Sequence, residues 1–384
     1  MHKGLKIGLV LALLVSLAAG IVVFAAEKTV KIACIVTSLT GALTKNGEYI
    51  TNGVKMAVDE VNAKGGIKGE KLEVVFLDDQ VKSSEAINAV KKAIYDLKVP
   101  VILGSDSSGL VLASMSFSAK EGIPQITTAT NIRITNQGVP TIYRARANDV
   151  VAAQILAEYV HKKGFKKIGI IYTNEDYGKG FMEAIQQNLT RLKNPAKAVE
   201  VCNIGDTDFT AQILSFKNKG VDAVMALGKE IETAKFLRQS RELGLKTAMF
   251  GGSPLGLDYV VDLAGGPGGA MEGVKIVTHF LPSDPDPKVQ KWVAQYKKLY
   301  NGQEPETHVA AYYDMVKMVA EVMKKYGTAP EAINNGLKKI RYKGIQSQFK
   351  GSPTGDLVTK QVIGEFKNGK WVVTDVIIGR NTEQ

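Results

Sequence analysis

Residues 99–131 read VPVILGSDSSGLVLASMSFSAKEGIPQITTATN, and this stretch decides how the rest of the chain is read. An apolar run at 99–103 breaks into a hydroxyl-rich loop, Gly104-Ser105-Asp106-Ser107-Ser108-Gly109. A helix-compatible segment follows, and a second short strand at 123–126 opens into Thr127-Thr128-Ala129-Thr130-Asn131. Strand, polar loop, helix, strand and polar loop are the units of an open α/β sheet, whose ligands sit at the carboxyl ends of the strands. Hydroxyls and free backbone N–H groups at helix starts suit a small anion, most often a carboxylate. Neither loop pairs a nucleophile with a base. The segment reads as a binding site.

Outward from it, short β-rich runs alternate with amphipathic helices from Thr29 to Phe250. Strands are expected at 30–36, 72–77, 99–103, 123–126, 167–172, 199–204, 221–226 and 247–250, with helices between them. Gly65, Gly164, Gly220 and Gly244 each follow a helix with Lys or Arg nearby, as left-handed caps do. Repeated βα units predict parallel sheets covered on both faces. The rhythm pauses at 141–146 and 273–278, and after the second pause the chain turns helical. Thr328-Ala-Pro-Glu331 has the spacing of a capping box. Asn368-Gly369, inside FKNGKWVV, predicts a two-residue hairpin.

The ends and the composition limit the class. His2, Lys3 and Lys6 precede an uncharged apolar run at 7–24, and Val23-Phe24-Ala25 closes it, the pattern of a cleaved signal peptide over 1–25. An uncleaved anchor is the alternative, since 18 apolar residues lie at the short end of what spans a bilayer. The remaining 359 residues suit two domains. The net charge of +11 falls to +9 without Lys3 and Lys6, and no basic stripe alternates with aromatics, so nucleic acid is not an expected partner. Cys34 and Cys202 lie in different expected strands and read as buried fillers, not a disulfide.

Enzyme motifs are missing from the sequence. His161, His279 and His308 are widely separated, no HExxH or Cys/His cluster occurs, and no Gly-x-Ser-x-Gly elbow is present. The expectation is therefore no catalytic residue, no metal and no cofactor. Asp78-Asp79 reads as a strand-end pair that orients a loop, and Gly265-Gly266-Pro267-Gly268-Gly269 as a plain loop.

Several segments together resemble the extracytoplasmic solute-binding proteins of ABC importers, of the leucine/isoleucine/valine-binding type. They are Gly53–Gly69 (GVKMAVDEVNAKGGIKG), Asp78-Asp79, Gly104–Ser108, Thr128–Asn131, Asp176-Tyr177-Gly178 and Leu237–Lys246 (LRQSRELGLK). The resemblance implies an α/β, type I periplasmic-binding-protein fold: two doubly wound lobes joined by a three-strand hinge. Lobe 1 would comprise 26–145 and 276–346, and lobe 2 would comprise 146–275 and 347–384. It implies a periplasmic protein that captures an amino acid or small carboxylic acid and delivers it to ABC permease subunits. A ligand-sensing subunit of a receptor is the alternative, and an exported enzyme a more distant one.

Carried over position by position, the resemblance places Ser107, with Ser108 beside it, at the hydroxyl that holds the ligand carboxylate. Thr128 and Thr130 complete that shell, and Tyr177 closes over the ligand from lobe 2. Four positions depart from the pattern. Ser253 stands where amino-acid binders often carry the carboxylate that pairs with the α-ammonium, while Lys229, Asn46 and His308 stand at or near aromatic positions. Two readings stay open. Either Glu230, beside Lys229, receives the ammonium of an α-amino acid, or the ligand is an ammonium-free acid whose distal group meets Lys229, Ser253 or His308. Taken by themselves, Ser107 and Ser108 could simply cap a helix, and His308 could be a satisfied histidine at a helix start.

Overall fold

Strand β1 (Thr29–Val36) is buried over nearly its whole length, and it organises the first sheet of the computed structural model, which describes residues 28–40, 43–358 and 360–378. The expected signal segment lies outside the described residues. After β1 come α1 (Thr44–Ala63), β2 (Lys71–Asp78), α2 (Ser83–Lys91), β3 (Ile102–Leu103), α3 (Ser108–Lys120), β4 (Gln125–Thr127) and β5 (Ile142–Arg144). The chain then builds α4 (Asp149–Lys162), β6 (Ile168–Thr173), α5 (Asp176–Arg191), β7 (Ala198–Cys202) and α6 (Thr210–Asn218). It continues with β8 (Ala223–Leu227), α7 (Glu230–Glu242), β9 (Ala248–Gly251), α8 (Asp258–Leu263) and β10 (Lys275–Thr278). Three helices follow: α9 (Pro287–Leu299), α10 (Thr307–Tyr326) and α11 (Pro330–Leu337). A small ribbon of β11 (Arg341–Lys343) and β12 (Gln348–Lys350) precedes the final hairpin, β13 (Lys360–Lys367) and β14 (Lys370–Ile378).

The first sheet has the order β2-β1-β3-β4-β5 and is parallel throughout. The second has the order β14-β13-β10-β9-β8-β6-β7, parallel from β7 to β10, with the antiparallel hairpin added at one edge. Register does the work that matters for the site. Leu103 stands opposite Ile126 and Val36 opposite Asp78, so the loops that follow these strands emerge along one sheet edge. The strands at Ile102 and Gln125 start later than the apolar runs suggest. Pro100 and Pro124 precede them, and a residue without an N–H cannot donate to the ladder.

Helices α9 to α11 have no sheet of their own and pack on the first lobe. Trp292, Tyr296, Val309, Val316, Ile333 and Leu337 share one core with Ile32, Cys34 and Val36 of β1. Each fully buried apolar side chain of this kind contributes about 1.5–3 kcal/mol. Cys34 and Cys202 are both free and buried, one in each sheet. The glycines at 65, 164, 220 and 244 adopt positive φ, as cap residues do, and Asn368 and Gly369 form the expected hairpin turn. The capping box does not form. Ala329 is the N-cap of α11 and makes no side-chain bond; Pro330, with its preset φ and missing N–H, starts the helix.

The chain passes between the lobes three times, and two of the expected boundaries move. Ala145 belongs to the core of the first lobe and Ala147 to the core of the second. The second passage follows Thr278, not residue 275, because β10 is bonded to β9 on one side and β13 on the other. The third follows Val358, not residue 346, because Phe349, Leu357 and Val358 remain in the first core. The passages are bonded to one another. Arg144, fully buried, gives Nε to Asp356 Oδ1 at 2.7 Å, Nη1 to the Asn131 carbonyl at 2.9 Å and Nη2 to Thr135 Oγ1 at 2.6 Å. Asn148 Nδ2 donates to Asp356 Oδ2 at 2.9 Å, and Gln346 Nε2 to the Ala145 carbonyl at 2.9 Å.

Candidate functional site

Where the carboxyl ends of the two sheets face each other, a cavity is lined from both lobes and from the connections between them. The first lobe contributes Asp106, Ser108, Thr128, Thr130 and His308; the passages contribute Arg146, Ala147 and His279. The second contributes Asp149, Tyr177, Phe181, Lys229, Glu230 and Ser253. Eight expected site residues thus meet at one place: Ser108, Thr128, Thr130, Tyr177, Lys229, Glu230, Ser253 and His308.

Ser107 and Asn46 stand outside the lining. Ser107 is the N-cap of α3, so its backbone is extended and its helical neighbour Ser108 reaches the cavity instead. Asn46, on α1, gives Nδ2 to Glu230 Oε1 at 3.3 Å and accepts from the Tyr259 hydroxyl at 3.1 Å. It links the lobes behind the site.

A polar relay holds the first-lobe wall. Ser105 Oγ donates to Asp79 Oδ2 at 2.6 Å, and Thr37 donates to Asp106. Asp78 accepts from Leu39 N at 3.0 Å and Thr40 Oγ1 at 2.8 Å, so both aspartates orient loops. Asp106 Oδ2 in turn lies 3.2 Å from His308 Nε2, and His308 Nδ1 lies 3.0 Å from Glu306 Oε2. Burial alone would lower the His308 pKa, but Glu306 and Asp106 outweigh it and hold the imidazolium up to about 9. Burial likewise works to raise Asp106, and the bond to His308 overrides it and keeps this carboxyl below its ordinary value. His308 is thus a satisfied histidine at a helix start, both ring nitrogens met by carboxylates, and it also lines the cavity.

The second-lobe wall starts at two helix N-termini. Glu175 caps α5, accepting from Tyr177 N at 2.8 Å and Gly178 N at 2.7 Å, and this aims Tyr177 at the cavity. Gly252 permits that position, since a Cβ there would come within 2.6 Å of the Tyr177 hydroxyl. Lys229 is the N-cap of α7, with Nζ 5.8 Å from the Tyr177 ring centroid. Burial disfavours its charge, yet Glu175 and Glu230 outweigh burial and raise its pKa. Glu230 is buried, and its Oε2 has no hydrogen-bond partner.

Ser253 Oγ lies 3.1 Å from His279 Nδ1, a contact that invites comparison with a nucleophile and base. The third group is wrong. His279 Nε2 meets the Ala147 carbonyl at 3.1 Å where a triad needs a carboxylate. Burial and Arg146 press the imidazole down to about 3, so it is a poor proton acceptor. The pair is a neutral polar wall.

A family profile described as periplasmic binding protein matches residues 29–370. The chain belongs to the periplasmic binding protein family. Its relatives include Leu/Ile/Val-binding protein homolog 1 of Brucella abortus, 29% identical over 325 residues, with 83% of this chain and 85% of the relative covered. Among solved structures, the branched-chain amino acid substrate-binding protein LivJ of Streptococcus pneumoniae, in complex with isoleucine, superposes with a TM-score of 0.83. It is 27% identical, covering 91% of this chain and 99% of that one. A solute-binding protein from R. palustris in complex with benzoate has the same fold, with a TM-score of 0.82 at 21% identity over 91% of this chain and 97% of that one. Like its relatives, this periplasmic binding protein is a substrate-binding protein and not an enzyme.

Sequence reasoning passed over Asp106, Arg146, Asp149 and His279, all of which line the cavity. One signal was available. Thr141–Arg146 was expected to be extended between two βα runs, and a passage between lobes runs past whatever lies between them.

Proposed function

We propose that the protein captures an amino acid or small carboxylic acid between its lobes, outside the cytoplasmic membrane, and hands it to the membrane subunits of an ABC importer. One observation carries the reading. Hydroxyls of the first lobe, at Ser108, Thr128 and Thr130, line the same cavity as the unpartnered Glu230 carboxylate oxygen of the second. A ligand carboxylate suits the first set and an ammonium suits the second, so one molecule bridges both lobes and favours their closure. Related proteins named for leucine, isoleucine and valine, and one holding isoleucine, support the amino acid; a structural neighbour holding benzoate supports the wider acid class.

A thermal-shift screen of amino acids and of aliphatic, aromatic and dicarboxylic acids tests this. Ligand at ~100 times its dissociation constant stabilises the protein by about 2.7 kcal/mol, a clear rise in Tm. A shift with a sugar or nucleotide, and none with any acid, would overturn the reading.

A further inference from the structure

Arg146 is 4% exposed, lines the cavity, and has no hydrogen-bond partner at Nε or Nη2. Those two nitrogens form one edge of the guanidinium, the side-on fork that matches the two oxygens of a carboxylate. A buried, unpaired arginine is costly, so a fold that retains one has a use for it. Neighbouring anions do not supply the partner. Glu306 and Asp106, whose fields reach Arg146, are both bonded to His308. Asp356 is taken by Arg144 and Asn148.

His308 is shared between Asp106 and Glu306, and Lys229 lies in the fields of Glu175 and Glu230. Asp149 is buried in the same lining with Oδ2 unpartnered, and burial pushes its pKa up to about 7. Arg146 keeps two buried donors, Nε and Nη2, that no described group meets. Acceptors are present as well. Glu230 Oε2 is unpartnered, and because His279 Nε2 faces the Ala147 carbonyl, Nδ1 accepts a hydrogen bond from Ser253 and leaves the Ser253 oxygen free to accept another.

We infer that Arg146 is a specificity-determining residue that selects an acidic amino acid: one carboxylate on the hydroxyl loops, the ammonium on Glu230, and a second carboxylate on the Arg146 fork. This rests on the proposed reading of the cleft as a site for amino acids and small acids, and narrows it to a ligand with one ammonium and two carboxylates. A neutral branched-chain amino acid would leave the guanidinium buried and unpaired.

The test is calorimetry on the full mature chain with glutamate, aspartate, glutamine, asparagine, leucine and the deaminated diacids glutarate and succinate. Wild type and Arg146→Gln are compared, with Arg146→Lys retaining the charge without the fork. An acidic amino acid should bind at least about thirtyfold more tightly than its amide, the lower end of what one truncated buried charge pair costs. Arg146→Gln should remove that preference, and Arg146→Lys should restore only part of it. Ligand-free Arg146→Gln should melt no lower than wild type, because the substitution removes an uncompensated buried charge, whereas a merely structural arginine would lower Tm. Leucine or an amide binding as tightly as the acids, a diacid preferred without its amine, or a preference that survives Arg146→Gln would overturn the inference and leave the wider reading intact. Failure of every acid and amino acid to bind would sink both.

Discussion

Asn46 and Glu230 meet across the cleft, Nδ2 to Oε1 at 3.3 Å, although 184 residues separate them in the chain. One belongs to α1 of the first lobe and the other to α7 of the second, so the bond exists only when the lobes are together. It engages one Glu230 oxygen and leaves the other, Oε2, without a hydrogen-bond partner.

Asn46→Ala should therefore act on binding without being a ligand contact. Hydrogen bonds to charged groups contribute roughly 1.5–3 kcal/mol, which is about tenfold or more in affinity. We expect that loss in calorimetry, with the Tm of the ligand-free protein little changed. Unchanged affinity would remove the link from the closed state.

Ser108→Ala and Thr128→Ala should each weaken binding about tenfold or more by the same estimate. Ser107→Ala should alter affinity by less than about threefold, since Ser107 lies outside the lining. The reverse order, measured by calorimetry, would return the carboxylate seat to Ser107.

His308 yields a pH prediction with a definite sign. Its folded pKa is raised from 6.5 to about 9, so its stabilising contribution is complete below pH 6.5 and is lost as pH rises through about 9. Asp149 and Asp314, both pushed up to about 7 by burial, lose theirs earlier, between pH 3.8 and about 7. Urea midpoints should fall from pH 6.5 to 9 in wild type, and His308→Gln should flatten that alkaline limb. A limb that persists in the variant would assign it to another group.

Asp356→Ala should destabilise the protein by roughly 3–5 kcal/mol, because it strands the buried Arg144 guanidinium. Arg144→Met combined with Asp356→Leu should recover much of the loss, since an apolar pair leaves no charge uncompensated. Urea unfolding of the two singles and the double measures the coupling. Additive losses would mean that the pair does not act as a unit.

Much of the fold is legible in the chain because it is written locally. The βα alternation, the glycine caps and the Asn368-Gly369 turn each depend on a few neighbouring residues, and all appear where the pattern puts them. Failures at the edges of elements have local causes of another kind. Pro100 and Pro124 delay their strands, and Pro330 starts a helix that Thr328 was expected to cap.

The site divides along a different line. Hydroxyl loops 104–109 and 127–131 could be picked out because each follows its own strand and needs only the sheet register to bring it to the other. Arg144 and Arg146 could not be separated by sequence. Two residues apart in one extended segment, they have the same chemistry, yet Asp356 reaches Arg144 from 212 residues away and nothing described reaches the Arg146 fork. The sequence by itself determined the α/β class and the hydroxyl edge, both products of short-range pattern, and its resemblance to solute-binding proteins implied the two-lobe build. Which charges are paired, which carboxylate oxygen of Glu230 is left unpartnered, and that Ser108 and not Ser107 lines the cleft were decided only in the tertiary structure. Burial and counter-charge are properties of distant segments brought together, and no single segment carries them.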